Sequence, residues 1–171
     1  PQQRQQLQAR LLREARSAGA LSHPGIVTIY DVGEEGDMAY FAMEFVDGDT
    51  LERILARPEP PSAEFVLGIL RQTASALDYA HRRGVIHRDI KLTQQGTILG
   101  TPNYMSPEQV QGRAEITGQA DQFALAIIAF EMLSGEKPFS ADQIHTTLFK
   151  ILSDPPPKLS LIHPHLTPAV D

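Results

Sequence analysis

From Thr117 to Ser134 the chain reads TGQADQFALAIIAFEMLS, and Phe123, Leu125, Ile127, Ile128, Phe130, Met132 and Leu133 fall on nearly every side of a helix. A helix that is apolar all round has no face for water and must be enclosed by other elements. The apolar run is too short for the roughly 20 residues that cross a bilayer. The segment is therefore expected to be the central post of a helical domain, with Gly135 closing it. A chain of 171 residues with 42% hydrophobic and 21% charged residues has material for one ordinary core or two small lobes around such a post.

The flanking sequence supplies the rest. Leu7, Leu11, Glu14, Ala18 and Leu21 share one face of a helix over 2–21, with one carboxylate inside the apolar stripe. Pro24 and Gly25 break it. IVTIYDV (26–32) and MAYFAMEFV (38–46) read as two strands of a hairpin, joined by the turn GEEGD. Ser62 reads as the N-cap of a helix to about Arg83, with Val66, Ile69, Leu70, Thr73, Leu77 and Ala80 inward and Gly84 at its end. A short amphipathic helix is expected over 141–152, before the stiff loop DPPPKL. Strands first and helices afterwards predict an α+β chain, with a small mixed lobe over 1–46 and a larger helical lobe over 47–171.

Several function classes are disfavoured at once. A formal net charge of −6 without a basic block argues against a DNA or RNA partner. The absence of cysteine removes disulfides and thiolate zinc sites. His163 and His165 in a proline-rich loop read as solvated, not as a metal pair, and no metal ligands are assigned. The polar start PQQRQQLQAR lacks the apolar core of a signal peptide, which predicts a cytoplasmic chain or the cytoplasmic piece of a longer one.

Two stretches carry chemistry. In His87-Arg88-Asp89-Ile90-Lys91, an Asp after a helix end can take the proton of a hydroxyl, and a Lys two residues on can neutralise a phosphate. Alone, such a tripeptide is weak. It is followed by GTPNYMSPEQ at 100–109, and the pair resembles the eukaryotic-like serine/threonine protein kinases of bacteria. REARSAGALSHPGIV resembles that family's C-helix and the next strand, YFAMEFVDGDTL its hinge, and ADQFALAIIAFEMLSGEKPF its buried central helix. The resemblance thus covers almost the whole chain and implies the protein-kinase-like bilobal fold, with ATP and Mg2+ as cofactors. Its implied activity is transfer of the γ-phosphate of ATP to protein serine or threonine hydroxyls, with protein substrates as partners and a homodimer for autophosphorylation. It also implies a kinase that is cytoplasmic or the cytoplasmic domain of a membrane-anchored one.

Carried over by position, the resemblance makes Asp89 the catalytic base, Lys91 the phosphate-contacting lysine and His87 a packing residue. Glu14 becomes the C-helix glutamate that pairs with a strand lysine, which suits a carboxylate within an apolar stripe; alternatively it sits at the stripe's edge in water. Met43 becomes the hinge gatekeeper, and the backbone of Glu44 and Val46 the adenine contact. Read without the family, Met43 and Val46 are core strand residues. Thr101 would hold the substrate-facing loop, and Glu108 would anchor it through an arginine. Asp121 would accept backbone hydrogen bonds from the catalytic loop, or be an ordinary first-turn carboxylate. Thr93 and Thr97 lie where activation loops are phosphorylated, and a phosphate there could pair with Arg88.

The family pattern also requires an Asn five residues after the catalytic Asp and then a DFG motif, to hold magnesium. Neither is present. Gln94 has the Asn spacing by coincidence, since its surroundings match the far end of the activation segment. The glycine-rich loop, the strand lysine and the arginine partner of Glu108 are likewise not in the sequence. Either the sequence joins parts of a longer kinase, or the polypeptide is a pseudokinase or inactive remnant that acts as a protein-binding module. The first is expected, because a domain without its second strand pair would leave open sheet edges and uncovered core.

Overall fold

The computed structural model describes residues 19–36, 38–59, 61–92 and 102–162. The chain divides into two compact units, Pro1–Gly48 with Ser75–Val85, and Asp49–Ala74 with Ile86–Asp171. All but the last residues of the helix expected over 2–21, Glu14 among them, fall outside the described residues, as do Thr93, Thr97, Thr101 and the His163/His165 pair.

In the first unit, β1 (Ile29–Glu35) and β2 (Met38–Met43) form an antiparallel hairpin. The register pairs Val32 with Phe41 and Glu35 with Met38, and a bulge falls between Ile29 and Asp31. β1 thus begins and ends three residues later than its β-branched run predicts, and β2 stops at Met43. The reason is the turn. Gly36 adopts φ 61 and reverses the chain tightly, so Gly33, Glu34 and Glu35 of the expected turn remain in the ladder.

The core reading of Met43 and Val46 needs correction, for their exposures are 55% and 65%. Alternation in a strand tells which residues share a face, whereas burial needs a second layer, and the sheet has two strands among the described residues.

The second half of α2 (Ala63–His81) belongs to the first unit, held by the loop after residue 20. His23 Nδ1 accepts the Gly25 N–H at 3.0 Å, which leaves Nε2 to donate to Ser75 Oγ at 3.2 Å. The Tyr79 hydroxyl accepts the Ser22 N–H at 3.2 Å, and the Arg83 guanidinium stacks 3.6 Å from the Tyr79 ring centre. Gly84 at φ 75 ends the helix, with its N–H on the His81 carbonyl and the Val85 N–H on the Ala80 carbonyl, both closing a Schellman turn.

The second unit holds the larger core. Here α1 (Leu51–Leu55) starts at Thr50, whose Oγ1 accepts the Arg53 N–H. Ser62 caps α2 as expected, its Oγ taking the Phe65 N–H at 3.2 Å. A 3-10 turn (Pro102–Tyr104) leads into α3 (Pro107–Val110), which begins on a proline that needs no N–H partner. The central helix forms as α4 (Gly118–Ser134), capped by Thr117 and ended by Gly135 at φ 73. Ala120, Ala124, Ile127, Ile128, Phe130 and Met132 are all buried around its circumference. Val66 of α2, Tyr104, Phe139 and Ile151 of α5 (Ile144–Ser153) pack into the same core, and the short α6 (Leu159–Ile162) buries Leu159.

Two glycines give opposite expectations. Gly135→Ala places a Cβ in the left-handed region and should lower stability by about 1 kcal/mol. Gly68→Ala, in the interior of α2 with open space around it, should raise stability by about 0.5–1 kcal/mol. Urea denaturation of the two variants checks both signs.

Candidate active site

Beyond the Schellman turn the chain enters the second unit and makes a loop, 86–92, whose backbone is held from two sides. The carboxylate of Asp121, in the first turn of α4 and 1% exposed, accepts the His87 N–H at 2.9 Å and the Arg88 N–H at 2.7 Å. Its place at a helix N-terminus favours the negative charge. Arg88 has φ 65, the left-handed conformation that a non-glycine residue rarely adopts. The Gln109 side chain reaches across and donates from Nε2 to the Arg88 carbonyl at 2.8 Å.

This anchored loop presents an exposed pair. Lys91 Nζ donates to Asp89 Oδ2 at 2.7 Å and to Oδ1 at 3.1 Å, with the Asp89 side chain 69% exposed. Such an ion pair adds little to stability in water. Its chemical content is a carboxylate open to an incoming hydroxyl, with an ammonium beside it that suits an anion. His87 does not pack, contrary to expectation: it is exposed, and its Nδ1 accepts the Asp89 N–H at 3.3 Å. A polar ring next to a free backbone donor gains that bond without being desolvated, so it braces the turn instead of filling the core.

A second polar group links the 3-10 turn to α4. The buried Tyr104 hydroxyl donates to Glu131 Oε2 at 2.6 Å, while Lys137 Nζ lies 3.9 Å from Glu131 Oε1 and 5.5 Å from the Tyr104 ring centre. Burial, and then the Glu131 carboxylate, push the Tyr104 phenol well above its ordinary value, so it remains a donor. Tyr104→Phe should therefore cost about 2 kcal/mol of stability by urea denaturation, through loss of a bond to a charged acceptor. A cost below about 0.5 kcal/mol would contradict this placement. Glu108 is half-buried in α3, and among the described residues no cation pairs with it.

The hinge candidates lie in the first unit. The Glu44 N–H is used by the Thr28 carbonyl at 2.8 Å, and its Oε2 accepts the Thr28 N–H at 3.2 Å. Among the described residues, the Glu44 carbonyl and the Val46 N–H have no hydrogen-bond partner.

The structure therefore joins Asp89 with Lys91, and His87 and Arg88 with Asp121. Sequence reasoning missed Gln109, Tyr104 and Glu131 as members of this neighbourhood. Gln109 follows Ser-Pro-Glu three residues after Ser106, the spacing of a capping box, which was the available signal.

A family model described as Protein kinase domain matches residues 1–95 and 92–162. The chain belongs to the protein kinase domain family. This kinase domain is 37% identical to the serine/threonine-protein kinase PknD of Mycobacterium tuberculosis over 191 residues, covering 95% of this chain and 29% of that protein. It is 35% identical over 190 residues to the probable serine/threonine-protein kinase PknB of Lactococcus lactis, with 95% and 30% covered. Against the serine/threonine-protein kinase PrkC of Bacillus subtilis it is 33% identical over 189 residues, with 95% and 29% covered. The domain thus spans under a third of the length of these relatives. The matched lengths exceed the 171 residues of this chain, so the relatives contain residues within the matched span that it lacks. The two stretches matched by the family model meet at 92–95, directly after Lys91.

Proposed function

We propose that this domain transfers the γ-phosphoryl group of ATP to serine or threonine hydroxyls of protein substrates. The observation that carries the reading is the exposed Asp89–Lys91 pair on a loop anchored by a buried carboxylate. In the proposed step the Asp89 carboxylate accepts the proton as the substrate hydroxyl oxygen bonds to the γ-phosphorus and the bond to the leaving ADP oxygen breaks. Lys91 Nζ neutralises charge on the transferring group. The Glu44 carbonyl and Val46 N–H, without a partner among the described residues, are an acceptor and a donor that suit the edge of adenine, beside the apolar Met43.

Magnesium does not fit the described residues. Among the described residues no three His, Cys, Asp or Glu side chains converge on a metal position, and Asp89 is already paired with Lys91. No step is therefore assigned to the metal. Thr101 and Glu108 belong to the same reading as supports of the substrate-facing loop, Glu14 as the C-helix carboxylate, and Thr93 and Thr97 as phosphorylation sites, served by pairing of two copies, whose phosphates would pair with Arg88. The domain would work in the cytoplasm, alone or on an anchored protein; among the described residues no helix is long and apolar enough to cross a membrane.

The test is transfer of radiolabelled γ-phosphate to protein by the polypeptide isolated from its own cells, with its intact mass measured alongside. Transfer by a chain heavier than 18.9 kDa is the expected result. A mass of 18.9 kDa with no transfer would replace the enzyme by a binding module.

A further inference from the structure

We infer that Gln109 is a positioning residue that fixes the peptide unit preceding Asp89 and ties it to the loop at Ser106. Naming Asp89 as the group positioned rests on the proposed kinase reaction; the tie itself rests on geometry alone. The Gln109 carboxamide spends both ends on backbone. Oε1 accepts the Ser106 N–H at 2.9 Å, and Nε2 donates to the Arg88 carbonyl at 2.8 Å. Ser106 offers a donor and Arg88 an acceptor, so a single orientation of the amide satisfies both.

The Arg88 carbonyl belongs to the same peptide unit as the Asp89 N–H. Asp121 holds the two N–H groups before it, those of His87 and Arg88. From the other side the unit has the 3.3 Å contact from the Asp89 N–H to His87 Nδ1. Arg88 is in the left-handed region, which is strained for an L-residue and persists only where the surroundings determine it from several directions. Rotation of the Arg88–Asp89 peptide changes Arg88 ψ and Asp89 φ and so re-aims the Asp89 side chain. Gln109 opposes this rotation from α3, so a shift of the Ser106 loop is passed to the catalytic carboxylate.

Two variants separate the tie from simple helix capping. Gln109→Glu retains the Oε1 acceptor for Ser106, and Glu also closes a capping box, but it sets a carboxylate oxygen against the Arg88 carbonyl. Gln109→Met loses both bonds. Amide hydrogen exchange on the full chain should show the peptide covering 86–91 exchanging about tenfold faster in both variants, the size of one neutral hydrogen bond. Amides at 106–110 should speed up only in Gln109→Met. In phosphotransfer, Gln109→Glu should lower kcat about tenfold with the KM for ATP unchanged. Unchanged exchange over 86–91 in Gln109→Glu overturns the inference, and so does loosening confined to 106–110 in both variants. Faster exchange over 86–91 in the two variants of a protein whose wild type transfers no phosphate would uphold the tie and count against the kinase reading instead.

Discussion

Asp121→Ala is expected to lower the stability of the second unit by about 3 kcal/mol and to free the loop that carries Asp89. The carboxylate is 1% exposed and accepts two backbone N–H groups at 2.9 and 2.7 Å. Each bond to a charged acceptor contributes about 1.5–3 kcal/mol, and truncation leaves both donors without it. Asp121→Asn should cost about 2 kcal/mol, because one amide oxygen can serve one N–H while the NH2 group faces the other. Urea denaturation gives the magnitudes, and faster amide exchange at 87 and 88 gives the location. A loss below 1 kcal/mol for the alanine variant would show that the loop is held by something else.

The second large effect concerns chemistry and leaves the fold alone. Asp89→Asn should reduce phosphotransfer by about 10²–10⁴-fold, the usual contribution of a positioned base. Stability should stay within about 0.5 kcal/mol of wild type, since the side chain is exposed and its pair with Lys91 lies in water. The two variants thus divide the loop into a buried carboxylate that holds it and an exposed one that acts. Equal losses of stability in both would erase that division.

Much of this arrangement can be read from the residues. α2 follows from apolar spacing after Ser62, because a helix writes its buried face into a local period, and α4 from an apolar run that leaves no face for water and ends at Gly135. HRDIK and GTPNYMSPEQ locate the loop and its neighbour, because their order along the chain carries the family pattern. The bond from Gln109 to Arg88 spans 21 residues and that from Tyr104 to Glu131 spans 27. Partners so far apart meet only through packing, which no local period encodes. α1 is hidden for a different reason: at five residues it is too short to show a stripe, and its start depends on one hydrogen bond to Thr50. His87 was misread because a family position was taken for a physical environment.

The magnesium question turns on the stretch after Lys91, where the two family matches meet. The anchored loop and the Asp89–Lys91 pair are present irrespective of that stretch. They are consequently the part of the proposed chemistry that this chain's own residues can be tested for.

The most direct test is incorporation of γ-phosphate into protein serine and threonine by the wild-type polypeptide and its Asp89→Asn variant, each purified from the cells that naturally make it. Incorporation by wild type that falls at least about a hundredfold in the variant is the predicted result. Equal incorporation by the two, including none by either, would contradict the assignment of Asp89 as the base of a phosphotransferase.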